Sequence, residues 1–225
     1  MSQAGHDPNF LPVQRSEALS DGIYAVAMTL LVIELKLPDA SAIHTAGDLS
    51  VAMVALLPKA IAWVISFFVL GIFWTAHHRV FGYVRHCDAT LVQLNLFQLA
   101  TVSLMPFSSA LSGEEGDLLL SQIVFSSNMA LLAISGQLIA RRIYRHPELC
   151  LTPFSRARYR GASLRIAAVV AVSAMAVLIA ALWPGAGLAN MAFMLMAAIS
   201  PATRALEQHE LKHAAEASIA APDAR

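Results

Sequence analysis

The residues of this sequence whose types and spacing could do chemistry fall in three places. Ser20 and Asp21 stand where an apolar run of membrane length begins, in "RSEALSDGIYAVAMTLLVIEL". His77, His78 and Arg79 close a second apolar run, "FWTAHHR", and are soon followed by His86, Cys87 and Asp88; Gln93, Asn95 and Gln98 lie in a third, "LVQLNLFQLA". Histidines with a cysteine and a carboxylate could ligate a metal, but adjacent histidines do not share a helix face, and neither HExxH nor paired CxxC spacing occurs. No metal site and no cofactor are expected. Nor is an enzyme: there is no glycine-rich phosphate loop and no serine in a GxSxG elbow. Ser126, Ser127, Asn128 and Gln137 are of types that glue membrane helices more often than they catalyse. A carboxylate at the edge of an apolar run has a different meaning. It costs about 2.5–3.5 kcal/mol at a bilayer centre, less near the edge, so Asp21 needs partners within the protein.

The elements that must supply those partners follow from composition. The 225-residue chain is 57% hydrophobic and 13% charged, with a mean hydropathy of +0.62, so its solvent is lipid. A net charge of zero excludes a general nucleic-acid binder, which would carry a basic face. A spanning helix needs about 20 mostly apolar residues. Six stretches qualify: Ser16 to Leu37, Val51 to His77, Ala89 to Leu111, Leu118 to Tyr144, Leu164 to Trp183 and Leu188 to Ala205. Pro38 ends the first, Pro58 sits inside the second, Pro106 kinks the third near its end, and "WPGAG" separates the last two. The expected fold is an all-α membrane protein, one six-helix domain over residues 1–225, with residues 206–225 as a cytoplasmic tail.

Basic residues are retained on the cytoplasmic side. Arg79 and Arg85 mark the second connection as internal, and the stretch 141–165, with Arg141, Arg142, Arg145, Arg156, Arg158, Arg160 and Arg165, marks the fourth. That stretch is expected to hold anionic headgroups at roughly 1 kcal/mol per basic residue. The third connection, "SGEEGD", has no basic residue. Both termini are then cytoplasmic, and the chain is a multi-pass protein of the plasma (inner) membrane without a cleaved signal peptide. Cys87 and Cys150 fall on the reduced side and form no disulfide framework.

At about 100° per residue, Val26, Leu30, Ile33 and Leu37 share a stripe with Gly22, Thr29 borders it, and Asp21 points away. Such a stripe, taken alone, is usually a lipid or packing face. The second run ends and the third begins at the depth of Asp21. Ser20, Asp21, His77 and Asn95 are therefore expected to form a buried hydrogen-bonded cluster pinning the first helix, with Arg15 and Trp74 at the same level; His78 is expected to be solvated.

These residues also carry a resemblance. "RSEALSDG" is similar to the arginine, three residues, phenylalanine-serine-aspartate signature of the lysosomal potassium channel family (transmembrane protein 175) and its bacterial branch, with Leu19 in place of the phenylalanine. The similarity continues through "AVAMTLLVIEL", "FWTAHHRVF" and "NLFQLATVSLMPF". It implies a homotetramer of six-helix units with the first helix lining a potassium pathway. By that match, Val26, Leu30 and Ile33 would form hydrophobic constrictions able to gate by dewetting, and Thr29 the adjacent hydroxyl layer tied to potassium preference. The chain has no TVGYG-type filter, so preference over sodium should be modest. Glu34 could form a carboxylate ring at the outer mouth, or pair with Lys36 or water. Two other functions compete: a proton-coupled secondary transporter, which would show a mid-membrane carboxylate or a discontinuous helix, and a membrane scaffold that transports nothing.

Overall fold

The computed structural model describes residues 11–36, 43–183 and 192–193. The expected sixth span, Leu188 to Ala205, and the tail lie outside the described residues, apart from Ala192 and Phe193.

The first apolar run forms α1 (Val13–Ile33), which begins directly after Pro12 and ends four residues before the expected Leu37. The second run is not continuous. It forms α2 (Ala46–Ala55) and α3 (Leu57–Phe81), parted at Leu56. Pro58 explains the break, because its ring clashes with the carbonyl four residues back and it has no N–H to donate. The start of α2 was not expected. Thr45 and Asp48 form a capping box, the Asp48 amide donating to Thr45 Oγ1 at 3.1 Å and the Thr45 amide to Asp48 Oδ2 at 2.9 Å, which satisfies two otherwise orphaned donors. The third run behaves like the second: α4 (Ala89–Ser103) gives way at Leu104 to α5 (Met105–Glu114), with Pro106 in the first turn of α5. The kink expected at Pro106 is thus a break two residues earlier. The remaining described helices, α6 (Leu119–Arg145) and α7 (Arg156–Leu182), are uninterrupted; α7 starts eight residues earlier than the apolar run that announced it. Among the described residues, five segments are long and apolar enough to span a membrane: α1, α3, α4 with α5, α6 and α7.

One feature departs from the all-helical expectation. Leu11–Pro12 (β1) and His86–Cys87 (β2) pair antiparallel, tying the start of α1 to the turn before α4. In that same region the Arg85 amide donates to the Leu149 carbonyl at 2.8 Å and the Leu151 amide to the Tyr83 carbonyl at 2.8 Å. These backbone groups lie beyond the helices and can pair with each other without disturbing a ladder.

α1 lies against α3, α4 and α5, and α6 packs along α7. The main core joins Tyr24 and Leu31 of α1 to Leu70, Leu99, Met105, Met129 and Leu132, and reaches Phe193, whose ring meets Phe125 edge-on at 5.1 Å. A smaller core around Phe81, Leu91, Ile143 and Phe154 closes the other end. Hydroxyls and amides join helices where apolar packing alone would not hold them in lipid: Ser66 to Ser109 at 2.7 Å, Asn128 to Ser108 at 3.1 Å, and Gln137 to Ser163 at 2.7 Å. Cys87 and Cys150 are free thiols.

Asp88 couples α4 to α6. Its carboxylate caps α4 by accepting the Leu91 amide at 2.9 Å and takes a charge-assisted hydrogen bond from Arg142. Burial alone would raise the Asp88 carboxyl, but the Arg142 and Leu91 donors outweigh it and hold the group below its ordinary value. A depressed carboxyl stabilises the fold above its unfolded pKa, near 4, and that contribution is lost as pH falls through the lower native value. Asp88→Asn retains a capping side chain but no charge. The wild type should therefore unfold at a higher temperature than Asp88→Asn at neutral pH, with the gap closing below about pH 4; a gap independent of pH would contradict this assignment.

Candidate functional site

α1 has two faces of different chemistry. Ser16, Ser20, Tyr24, Ala27 and Leu31, spaced by four or three residues, are buried against the protomer. Ser20 Oγ donates to the Ser16 carbonyl at 2.8 Å and accepts from Asn95 Nδ2 at 3.2 Å. Asn95 Oδ1 lies 2.8 Å from His77 Nε2. With the Asn95 amide in this orientation its oxygen can only accept, so the contact requires a proton on His77 Nε2. The His77 ring stacks on Phe81 with centroids 4.2 Å apart and tilts against Tyr24 at 6.1 Å. Gln98 Nε2 donates to the Tyr24 hydroxyl at 3.4 Å. Three helices thus meet through Ser20, His77 and Asn95, all of them buried.

The expected four-residue cluster divides in two. Asp21 is exposed and does not join Ser20, His77 and Asn95; Trp74 Nε1 donates to its Oδ1 at 2.7 Å. The reason is angular: one residue on a helix turns about 100°, so Ser20 and Asp21 cannot both face the same neighbours. The Trp74 ring in turn stacks on His78 at 5.9 Å, and His78, expected to be solvated, is exposed. Arg15 is exposed on the first turn. Tyr24 and Gln98 were not singled out as fastening residues, although the spacing of Tyr24 four residues beyond Ser20 places both on one face.

The opposite face is uncovered. Val26, Leu30 and Ile33 are 56%, 42% and 55% exposed. An open groove of 340 Å³ runs along this side, bordered by Leu19, Gly22, Ile23, Val26, Leu30 and Ser103. Thr29 is exposed on the same side and its hydroxyl donates to the Val26 carbonyl at 2.8 Å. With its proton committed to the helix, Thr29 Oγ1 offers outward only lone pairs, the polarity a cation needs. Glu34 ends the helix beside the ion pair of Lys59 and Glu114, which is 2.7 Å long. Of the arginines in the stretch 141–165, Arg142 is engaged with Asp88 and Arg158 lies 4.7 Å from the centre of the Tyr83 ring, whereas Arg141, Arg145, Arg156 and Arg160 are exposed.

A family model described as the endosomal/lysosomal potassium channel TMEM175 matches residues 15–106. A protein of Streptomyces collinus named as a potassium channel is 43% identical over 100 residues, 44% of this chain and 47% of that protein. Another so named, from Chamaesiphon minutus, is 32% identical over 152 residues, 61% of this chain and 74% of that protein. The human endosomal/lysosomal proton channel TMEM175 is 35% identical over 108 residues, 46% of this chain and 21% of that protein. The match therefore spans about half of the Streptomyces relative and a fifth of the human one. In fold, the chain resembles the crystal structure of a lysosomal potassium-selective channel TMEM175 homolog from Chamaesiphon minutus, with a TM-score of 0.69 at 24% identity, covering 85% of this chain and 97% of that one. The family and these relatives are named as channels, not as enzymes.

The division of the polar residues has a measurable consequence. Asn95→Ala leaves His77 and Ser20 buried without their shared partner and should lower unfolding stability by about 1–3 kcal/mol. Asp21→Asn keeps an oxygen for Trp74 and should cost less than about 1 kcal/mol. Thermal unfolding in detergent separates the two, and equal losses would mean that Asp21 shares the buried cluster after all.

Proposed function

The chain belongs to the TMEM175 family, and on that premise we propose that four copies assemble around a common axis as a potassium-permeable channel lined by α1. One observation carries the proposal: the face of α1 bearing Val26, Leu30 and Ile33 is left uncovered by its own protomer, while the other face is fastened by buried hydrogen bonds. In a cyclic assembly, four copies of each apolar side chain form stacked constrictions that pass ions only when wetted. The four Thr29 oxygens border the Val26 and Leu30 layers and present acceptors to a dehydrating cation. Without a ring of backbone carbonyls, discrimination rests on the cost of partial dehydration in a narrow passage, so potassium is preferred over sodium only modestly. Four copies of Glu34 at the outer mouth raise the local cation concentration.

The Arg-rich ends of α3 and α6 lie in the cytoplasm under this reading, as do both termini, and the protein resides in the plasma (inner) membrane. Exposed Arg141, Arg145, Arg156 and Arg160 then face anionic headgroups. A second reading, a proton-coupled transporter, is favoured by the two interrupted helices, because broken helices build transporter substrate sites. Neither break carries an aspartate or glutamate in its own turn, and α1 is unbroken, so the channel reading is preferred. A non-transporting scaffold gives no flux at all.

Leu30→Ala widens one constriction in all four subunits. In liposomes, potassium flux should rise and the potassium-to-sodium ratio fall severalfold, with no pH gradient required. Unchanged flux and preference would remove α1 from the passage, and flux that depends on a proton gradient would favour the transporter.

A further inference from the structure

We propose that His146 is a pH-sensitive latch between the end of α6 and the turn that joins α3 to α4: the neutral imidazole holds a strap, residues 147–151, against that turn, and protonation loosens it. The strap opens with a single 3₁₀ turn, Pro147–Leu149, directly after α6. It pairs with residues 83–85 through the two backbone hydrogen bonds of Arg85 with Leu149 and of Leu151 with Tyr83, and through an antiparallel bridge of Val84 with Cys150. Next to these paired residues comes β2, whose partner β1 leads directly into α1.

Both ring nitrogens of His146 are engaged. Arg142 Nη1 lies 2.6 Å from Nε2, and Glu148 Oε1 lies 2.7 Å from Nδ1. A guanidinium can only donate, so the first contact requires a lone pair on Nε2; a carboxylate can only accept, so the second requires the proton on Nδ1. Turning the ring over would set carbons at both contacts, which fixes its orientation. The contacts therefore select the neutral imidazole. A second proton would sit on Nε2, facing an N–H of a permanent cation at contact distance. Arg142 is anchored by its other terminal nitrogen to Asp88, the cap of α4. His146 is partly exposed and Glu148 largely so, so the charged imidazole is the group that yields, and it carries Glu148 and the root of the strap with it. Among the described residues, the groups facing His146 are Arg142 on its own helix, Glu148 and Cys150 on the strap, and Asp88 from α4. None of them changes charge over the range in which histidines do. The Glu148 carboxyl is held below its ordinary value by its own backbone amide and by His146, Asp88 is held low by Arg142 and Leu91 despite its burial, and burial pushes the Cys150 thiol up. An effect of the latch on ion flow rests on the channel reading, whereas the latch itself does not.

The test is hydrogen exchange of the full-length protein in lipid nanodiscs, read by peptide mass spectrometry at about pH 8 and about pH 5.5, a span over which histidines charge. Each rate is divided by its intrinsic value at that pH, and no flux is measured. The amides of Arg85 and Leu151 should lose about tenfold in protection at the lower pH, the factor one hydrogen bond supports, while peptides of α7 do not change. His146→Gln puts a neutral amide between Arg142 and Glu148, able to accept from one and donate to the other, and should keep full protection at both values. His146→Ala, which makes neither contact, should show low protection at both. His86→Gln, altering the nearby histidine of β2, should respond as the wild type does. The proposal is overturned if wild-type protection at Arg85 and Leu151 is the same at the two values, or if either His146 variant still responds to pH. Loss of the response in His86→Gln also overturns it, by assigning the proton to β2.

Discussion

A polar side chain in hydrocarbon must find its partner within the protein, and in this chain that requirement sets the rotation of the first helix. Ser20 and Tyr24 carry the hydroxyls of the inner face of α1, and their partners Asn95 and Gln98 stand on α4, with His77 of α3 completing the set. Turning α1 by a single residue, about 100°, would bring Asp21 to Asn95 and expose Ser20. The hydroxyls and amides then lose their matches. Rotation fixed in this way leaves Val26, Thr29, Leu30 and Ile33 exposed on the far side.

No single bond here is strong. Polar pairs between membrane helices average about 0.6 kcal/mol and reach about 1.7. What holds the orientation is their placement within a packed layer: Tyr24 and Leu31 are both buried in the main core, and His77 is stacked against Phe81. Misrotation would expose that apolar packing and break the hydrogen bonds at once, so the two contributions support one another. Asp21 and Trp74 act at the surface of the same junction. Their bond is charge-assisted but exposed, and it guards the orientation without establishing it.

Much of this was legible in the residues. The apolar runs located the five described spans, because length and hydropathy suffice when every backbone group must be satisfied inside its own helix. The exposed stripe of α1 followed from its spacing, and Ser20, His77 and Asn95 were placed together by matching depths along antiparallel helices. Other features depended on tertiary detail. The breaks at Leu56 and Leu104 fall two residues before prolines that could equally have been tolerated as kinks. Thr45 and Asp48 form a capping box outside the apolar run, so hydropathy does not reveal it. The pairing of β1 with β2 joins segments far apart in sequence, and neither is long enough to show an alternating pattern. Asp21 went to Trp74 instead of the buried cluster because adjacent residues on a helix diverge.

The central claim is that the uncovered face of α1 borders a water-filled passage shared between copies. Thr29→Cys, made with Cys87→Ser and Cys150→Ala so that no other thiol reacts, tests it most directly. A water-soluble, charged methanethiosulfonate applied to liposomes should modify this position and block potassium flux. Reaction confined to a membrane-dissolved maleimide, with flux unchanged, would place that face against lipid and contradict the channel.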